Sequence, residues 1–182
     1  MIERNHIKNK NGQFYRMGLW MIGLQIYRLS NQLYRWHIPL LPKLLTYFNF
    51  FICRCWIPYR TDIGSNTIFG YGGMGVVINK MARIGKNCFI AHQVTIAYSK
   101  GVPVIGNNVY IAPGAKLFGG IKIGNNVVIA ANSVVIRDVP DNCLVGGVPA
   151  KIIRENIDIT EYMAQIWPEK FRVKFKQGKI KL

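Results

Sequence analysis

Acidic residues are scarce in this chain. Eight Asp and Glu stand against 24 Lys and Arg in 182 residues, for a formal net charge of +16. The excess is uneven: residues 1–61 hold nine basic and one acidic residue, 62–153 eight and three, and 154–182 seven and four. Such a balance suits an anionic partner, whether nucleic acid, an acidic membrane face or a phosphorylated small molecule, or it keeps an apolar assembly soluble. Nucleic acid is set aside, because the interleaved Arg16, Arg28, Arg35, Tyr15, Tyr27 and Tyr34 come with no RNA-binding signature. Histidine is scarcer still, with only His6, His37 and His92. Cysteine is too sparse for a framework: Cys53 and Cys55 form a lone C-x-C, and no second pair or nearby histidine completes a zinc set. No metal is therefore expected, and reduced thiols in a cytoplasmic protein are. No Walker pattern follows the glycine-rich passage at Gly70–Gly75. The most apolar stretch, from Leu40 to Cys53, contains Pro42 and Lys43 and falls short of the ~20 apolar residues a spanning helix needs. The opening segment is polar through Gln13, so no signal peptide is expected.

What the chain does have is a period of six. Ile78, Ile84, Ile90 and Ile96 are six apart, and after a three-residue slip the count resumes at Ile105, Ile111, Leu117, Ile123, Ile129 and Val135. A small residue usually follows each, and a second small or β-branched residue recurs four positions on, from Ala82 and Cys88 to Val127 and Ser133. Six fits neither an amphipathic helix nor a long-stranded hairpin. One unit cannot bury its aliphatic side chain alone, but a stack can. Gly106-Asn107-Asn108 and Gly124-Asn125-Asn126 repeat the same corner chemistry, since Gly and Asn accept positive φ cheaply. The economical fold is a prism of short parallel strands, with three hexapeptides to a coil. The three extra residues in Ala97–Val104 should bulge from one face, where a site is often lined.

Three regions follow: an N-terminal arm and helical segment over 1–61, the prism over 62–153, and a helix with a basic tail over 154–182. Residues 1–13 read as an arm or turn. From Phe14 to Trp36, apolar residues at three- and four-residue steps predict an amphipathic helix, and Leu40–Cys53 predicts a second. The pair is expected to pack on itself or on a neighbouring subunit; lying on an anionic membrane leaflet is the second expectation. A last helix should start near Asp158, with Glu161 at capping-box spacing and Ile159, Tyr162, Met163, Ile166 and Trp167 on one face. The tail to Leu182 reads as a short strand or surface arm.

The six-residue pattern resembles the hexapeptide-repeat acyltransferases. Tyr15 to Lys151 looks like the serine acetyltransferases and related acetyltransferases of bacterial surface polysaccharide clusters. The pieces that carry this are Ile38–Lys43, Gly73–Ile78, His92-Gln-Val-Thr-Ile96, Val104–Val109, Asp138-Val139-Pro140 and Gly147-Val-Pro-Ala-Lys151. The resemblance implies a mainly β fold, a left-handed parallel β-helix, assembled as a homotrimer with acetyl-CoA as donor. It also implies that the pantetheine arm runs along a groove between neighbouring subunits, walled by Ala112, Gly114, Gly119, Ala130 and Ala131. Arg137 and Lys151 would meet the CoA phosphates. His92 matches a histidine that some relatives carry before Val-Thr, and is the expected general base. Tyr71, Gln93, Tyr98 and Lys100 are the expected acceptor-binding residues; Asn79, Tyr71 and Tyr98 are the candidates for orienting His92.

The departures bear on the acceptor. Serine acetyltransferases carry a histidine just before the Gly-Met-Gly-Val-Val-Ile run and an acidic residue before it, whereas this chain has Gly72 and Tyr71. The family's Gly-Glu after the run is Asn79-Lys80 here, and the loop with a second histidine is cut to Tyr98–Pro103. The expected acceptor is therefore a sugar hydroxyl of a surface polysaccharide or its precursor. Serine, an amino sugar acetylated on nitrogen, or no acceptor at all in an inactive assembly subunit are the alternatives. A β-helical carbonic anhydrase fits poorly, because His6 and His37 lie outside the coils.

Overall fold

The computed structural model describes residues 6–8, 14–16 and 22–166. Two helices lead into a left-handed parallel β-helix of about four coils, and a short helix follows it. The coils have three faces. The first comprises β4 (Ile68–Phe69), β7 (Phe89–Ile90), β10 (Tyr110–Ile111), β13 (Val128–Ile129) and β15 (Leu144–Gly147). The second comprises β5 (Val77–Ile78), β8 (Thr95–Ala97), β11 (Lys116–Phe118) and β14 (Val134–Val135). The third comprises β3 (Asp62–Ile63), β6 (Arg83–Ile84), β9 (Val104–Ile105) and β12 (Lys122–Ile123).

The six-residue count maps onto this prism directly. Ile78, Ile90, Ile96, Ile111, Leu117 and Ile129 point inward and are fully buried, and Ile84, Ile105, Ile123 and Val135 nearly so. The second inward set, Ala82, Cys88, Val94, Val109, Ala115, Ile121, Val127 and Ser133, fills the remaining interior. Burial raises the Cys88 thiol from 9.0 to about 11.

Asparagine holds the corner between the third and first faces. Asn66, Asn87, Asn108, Asn126 and Asn142 all have φ between 54° and 60° and stack one per coil. Each side-chain amide donates to the next residue's Oδ1, at 3.2, 3.1, 2.9 and 2.9 Å in turn. Asn is the residue that accepts this left-handed backbone and also carries both a donor and an acceptor.

The ladder shows how the coil length changes. Successive asparagines are 21, 21, 18 and 16 residues apart. The expected three-residue insertion lies at Ala97–Val104, since Thr95 pairs with Lys116 but Val104 with Lys122. A second insertion was not expected. Phe69 pairs with Ile90 but Val77 with Thr95, which places three extra residues in the Gly70–Gly75 passage. Ile57, Ile63 and Phe69 are six apart, so the period itself extends back to Ile57. The last coil is two residues short, between Val135 and Val139.

The ends are capped differently. The predicted helix from Phe14 is corrected: Phe14–Arg16 is a strand (β2) paired antiparallel with His6–Lys8 (β1), and the helix runs Ile22–Arg35. The aromatic, β-favouring Phe14-Tyr15 outweighs the helical spacing locally. The second helix, Leu41–Cys53, agrees with its expected span and packs on the first. Ser30 Oγ donates to Pro42 O, and Asn49 Nδ2 to Gly23 O. The prism begins as the chain leaves this pair: Trp56 N–H donates to Val76 O, and Ile57 is buried in the core.

At the far end β15 turns back antiparallel onto β16 (Ala150–Arg154) through the cis Val148–Pro149 bond. Asp158 accepts a bond from Thr160 N–H at 2.8 Å and starts the last helix, Ile159–Ile166. Hydrogen bonds from Thr160 hold that carboxyl below its usual range. Ile157, Ile159 and Met163 cover the outside of the first face at Val128, with Ile68, Phe89, Tyr110 and Leu144 around them. The expected roles of Trp167 and the basic tail lie outside the described residues.

Candidate active site

Corner geometry positions the one histidine of the coils. The corner between the first and second faces is a column of left-handed residues, Gly75, Gln93, Gly114 and Asn132, with φ of 69°, 59°, 73° and 56°. Backbone bonds join its coils: Gln93 N–H to Met74 O, Gly114 N–H to His92 O and Asn132 N–H to Pro113 O. Gly114 has a steric reason to be glycine, because a Cβ there would overlap Asn132 Oδ1. His92 sits one residue before this bend, half-buried.

The unexpected insertion lies directly against it. Gly70–Gly75 belongs to the coil before His92, and its Tyr71 takes φ 51°, ψ 38°, a left-handed conformation costing a non-glycine residue roughly 1–2 kcal/mol. The Tyr71 ring meets the imidazole edge-on, with centroids 5.1 Å apart at 89°. His92 Nδ1 is buried and has no hydrogen-bond partner among the described residues. Buried polar atoms in folded proteins are almost always paired, so this unpaired nitrogen is an unmet hydrogen-bonding group at the bend.

Between Asp62 and Asp138 the sequence contains no acidic residue and seven basic ones. Whatever orients the imidazole is therefore not an acid of that stretch. Of the three candidates for orienting it, Tyr71 is the one that the structure sets against its ring; Tyr98 and Asn79 lie toward the next corner.

The other expected residues divide between two edges of the prism. Ala112, Gly114, Ala130 and Ala131 line the first corner with Tyr71, His92 and Gln93. Ala112 and Gly114 are buried, Ala130 is half-buried, and Ala131 and Gln93 are exposed. Tyr98, Lys100, Gly119 and Arg137 belong to the corner between the second and third faces. There the Tyr98–Pro103 loop is seated on Gly119-Gly120, and a Cβ on Gly101 would lie 2.6 Å from Gly120 Cα. Lys151 stands exposed on β16, paired with Gly146 across the hairpin. A single chain thus does not gather all of these residues into one site.

Fold and repeat together define the class: a hexapeptide-repeat parallel β-helix with a histidine at its first corner. Residues 103–137 match the family described as bacterial transferase hexapeptide (six repeats). Among curated proteins, the chain is similar to the serine acetyltransferase of Synechococcus elongatus. The two are 38% identical over 135 residues, covering 71% of this chain and 55% of that protein. Among solved structures it is similar to Neisseria gonorrhoeae serine acetyltransferase, with a TM-score of 0.71, 30% identity, and 75% of this chain against 54% of that one covered. A serine acetyltransferase in complex with CoA superposes with a TM-score of 0.68 at 29% identity, over 72% of this chain and 55% of that one. The chain spans about half the length of these relatives.

Proposed function

We propose that this protein moves the acetyl group of acetyl-CoA to a hydroxyl, with His92 as general base. The observation that carries this is the placement of His92, half-buried at the first corner with the Tyr71 ring against its imidazole. An acceptor hydroxyl gives its proton to the imidazole as its oxygen attacks the thioester carbon. The tetrahedral intermediate collapses, the C–S bond breaks, and the imidazolium returns the proton to the departing CoA thiolate. The small side chains Ala112, Ala130 and Ala131 leave room for a narrow pantetheine arm, and Arg137 and Lys151 supply charge for the CoA phosphates. The solved CoA complex of a similar protein supports this donor.

Serine is the acceptor favoured by comparison, because the similar proteins are serine acetyltransferases. It displaces the sugar hydroxyl as the first reading, since neither the family description nor these relatives refer to a saccharide. A sugar hydroxyl remains the second reading on one observation: Tyr71, 60% exposed, and Gly72 stand where the pattern of the serine acetyltransferases has an acid and a histidine. A homotrimer belongs to the same proposal. A neighbour's second corner, with its Tyr98 loop and Arg137, would complete the first corner of each copy. A cytoplasmic site of action belongs to the same proposal, since that is where acetyl-CoA would be met.

The test is CoA-thiol release from acetyl-CoA with serine, amino sugars and oligosaccharides as acceptors. His92→Ala should lower turnover by roughly 10²–10⁴-fold while CoA binding persists. Turnover on serine that survives His92→Ala would remove His92 from the mechanism. Turnover on an oligosaccharide alone would promote the second reading.

A further inference from the structure

The second helix is packed the wrong way out for a water-facing element. Its buried positions are Pro42, Thr46 and Asn49, with Thr46 5% and Asn49 1% exposed. Those polar side chains bond to backbone: Thr46 Oγ1 to Pro42 O, and Asn49 Nδ2 to Gly23 O. The opposite stripe is Leu41, Leu44, Phe48 and Phe51, at helical spacing, with Phe48 53% and Phe51 64% exposed. Ile52 and Leu40 widen it. Soluble surfaces rarely leave so large an aliphatic and aromatic patch bare, because such side chains are more stable out of water.

Charge selects the occupant. From Ile22 to Thr61 the sequence has five basic residues and no acidic one. Arg28 donates to Thr67 O on the prism and Arg60 lies over the Tyr34 and Tyr59 rings, while Lys43 and Arg54 stand exposed near the two ends of the second helix. The one ion pair recorded in this part of the structure reaches outside the helix pair, from Arg35 to Asp62 at 4.0 Å. A second copy seated on the stripe would set these cations against one another, while an anionic surface would neutralise them. Thirteen residues are too few to cross a bilayer, and no helix among the described residues is long and apolar enough to do so.

We propose that the Leu41–Cys53 helix lies along an anionic lipid surface, with Leu44, Phe48 and Phe51 in the acyl boundary and Lys43 and Arg54 at the headgroups. The protein would thereby hold its coils at a membrane face. This rests on the helix pair alone and is independent of the acetyl-transfer proposal.

The test uses the full chain with phosphatidylcholine vesicles, with and without phosphatidylglycerol, read by co-sedimentation. The Phe48→Ser/Phe51→Ser double variant is run alongside, with solution mass and acetyl-CoA binding measured for each. The natural sequence should bind the phosphatidylglycerol vesicles and release them at high salt. The double variant should bind at least tenfold more weakly, with its mass and acetyl-CoA binding unchanged. Three results would each overturn the proposal: no selective binding, equal binding by the double variant, or a fall in solution mass in that variant without lipid. The last would show that a second copy covers the stripe.

Discussion

The asparagine ladder predicts a stability loss that separates backbone from side chain. Asn108 is 4% exposed at φ 56°, accepts from Asn87 Nδ2 at 3.1 Å and donates to Asn126 Oδ1 at 2.9 Å. Asn108→Ala removes two buried hydrogen bonds, each worth about 1 kcal/mol net, and leaves a donor and an acceptor unmatched in the column. It also places a Cβ-bearing residue without a local hydrogen bond in the left-handed region, at a further ~1 kcal/mol. The sum is roughly 3–5 kcal/mol. Asn108→Gly removes the same bonds but takes the backbone angle freely, so it should recover ~1 kcal/mol of that loss. Urea unfolding at one fixed protein concentration would measure both, since self-association makes apparent stability depend on concentration. A loss below about 0.5 kcal/mol for Asn108→Ala would refute the ladder as a source of stability. Equal losses for the two variants would refute the backbone part of the reasoning.

Burial raises the Cys88 thiol from 9.0 to about 11, so the folded state holds its proton more tightly than the unfolded chain does. The corresponding stability is complete below pH 9 and is lost as pH rises towards 11. Unfolding midpoints across that window should fall more steeply for the natural sequence than for Cys88→Ala; parallel profiles would contradict the assignment. Gly101→Ala should raise the acceptor KM several-fold and lower the melting temperature. It has φ 133° and no space for a Cβ above Gly120, so the substitution lifts the Tyr98–Pro103 loop and with it Val102, which packs against the core. An unchanged KM would show that the loop does not meet the acceptor. These join the expected collapse of turnover in His92→Ala and the loss of vesicle binding in the Phe48/Phe51 variant.

The prism was legible in the sequence because its rule is local and repeated. One aliphatic side chain per six residues must point inward wherever the chain turns three corners per coil, so Ile78 to Val135 predicted its own burial. The Asn-Asn corners were legible for the same reason, although only the stack revealed that they form a continuous ladder. The last helix announced itself through Asp158, a capping residue directly before its first turn. The first helix did not: Phe14–Arg16 carried the right spacing, but it pairs with His6–Lys8, a partner that periodicity does not see.

The proposed site was legible only in part. The motif singled out His92 as the candidate base, and Tyr71, which the structure sets against it, was one of three candidates to orient it. What the sequence by itself determined is the repeat, the corners and the scarcity of acids, all properties that each residue or unit carries with it. What only the tertiary structure decided is which residues meet. The second insertion brings Tyr71 onto His92, Tyr98 and Arg137 fall on another edge of the prism, and the second helix buries Thr46 and Asn49 while it exposes Phe48 and Phe51. Those outcomes depend on the coil-to-coil register and on packing between distant segments, where a three-residue change of count moves a side chain from one contact to another.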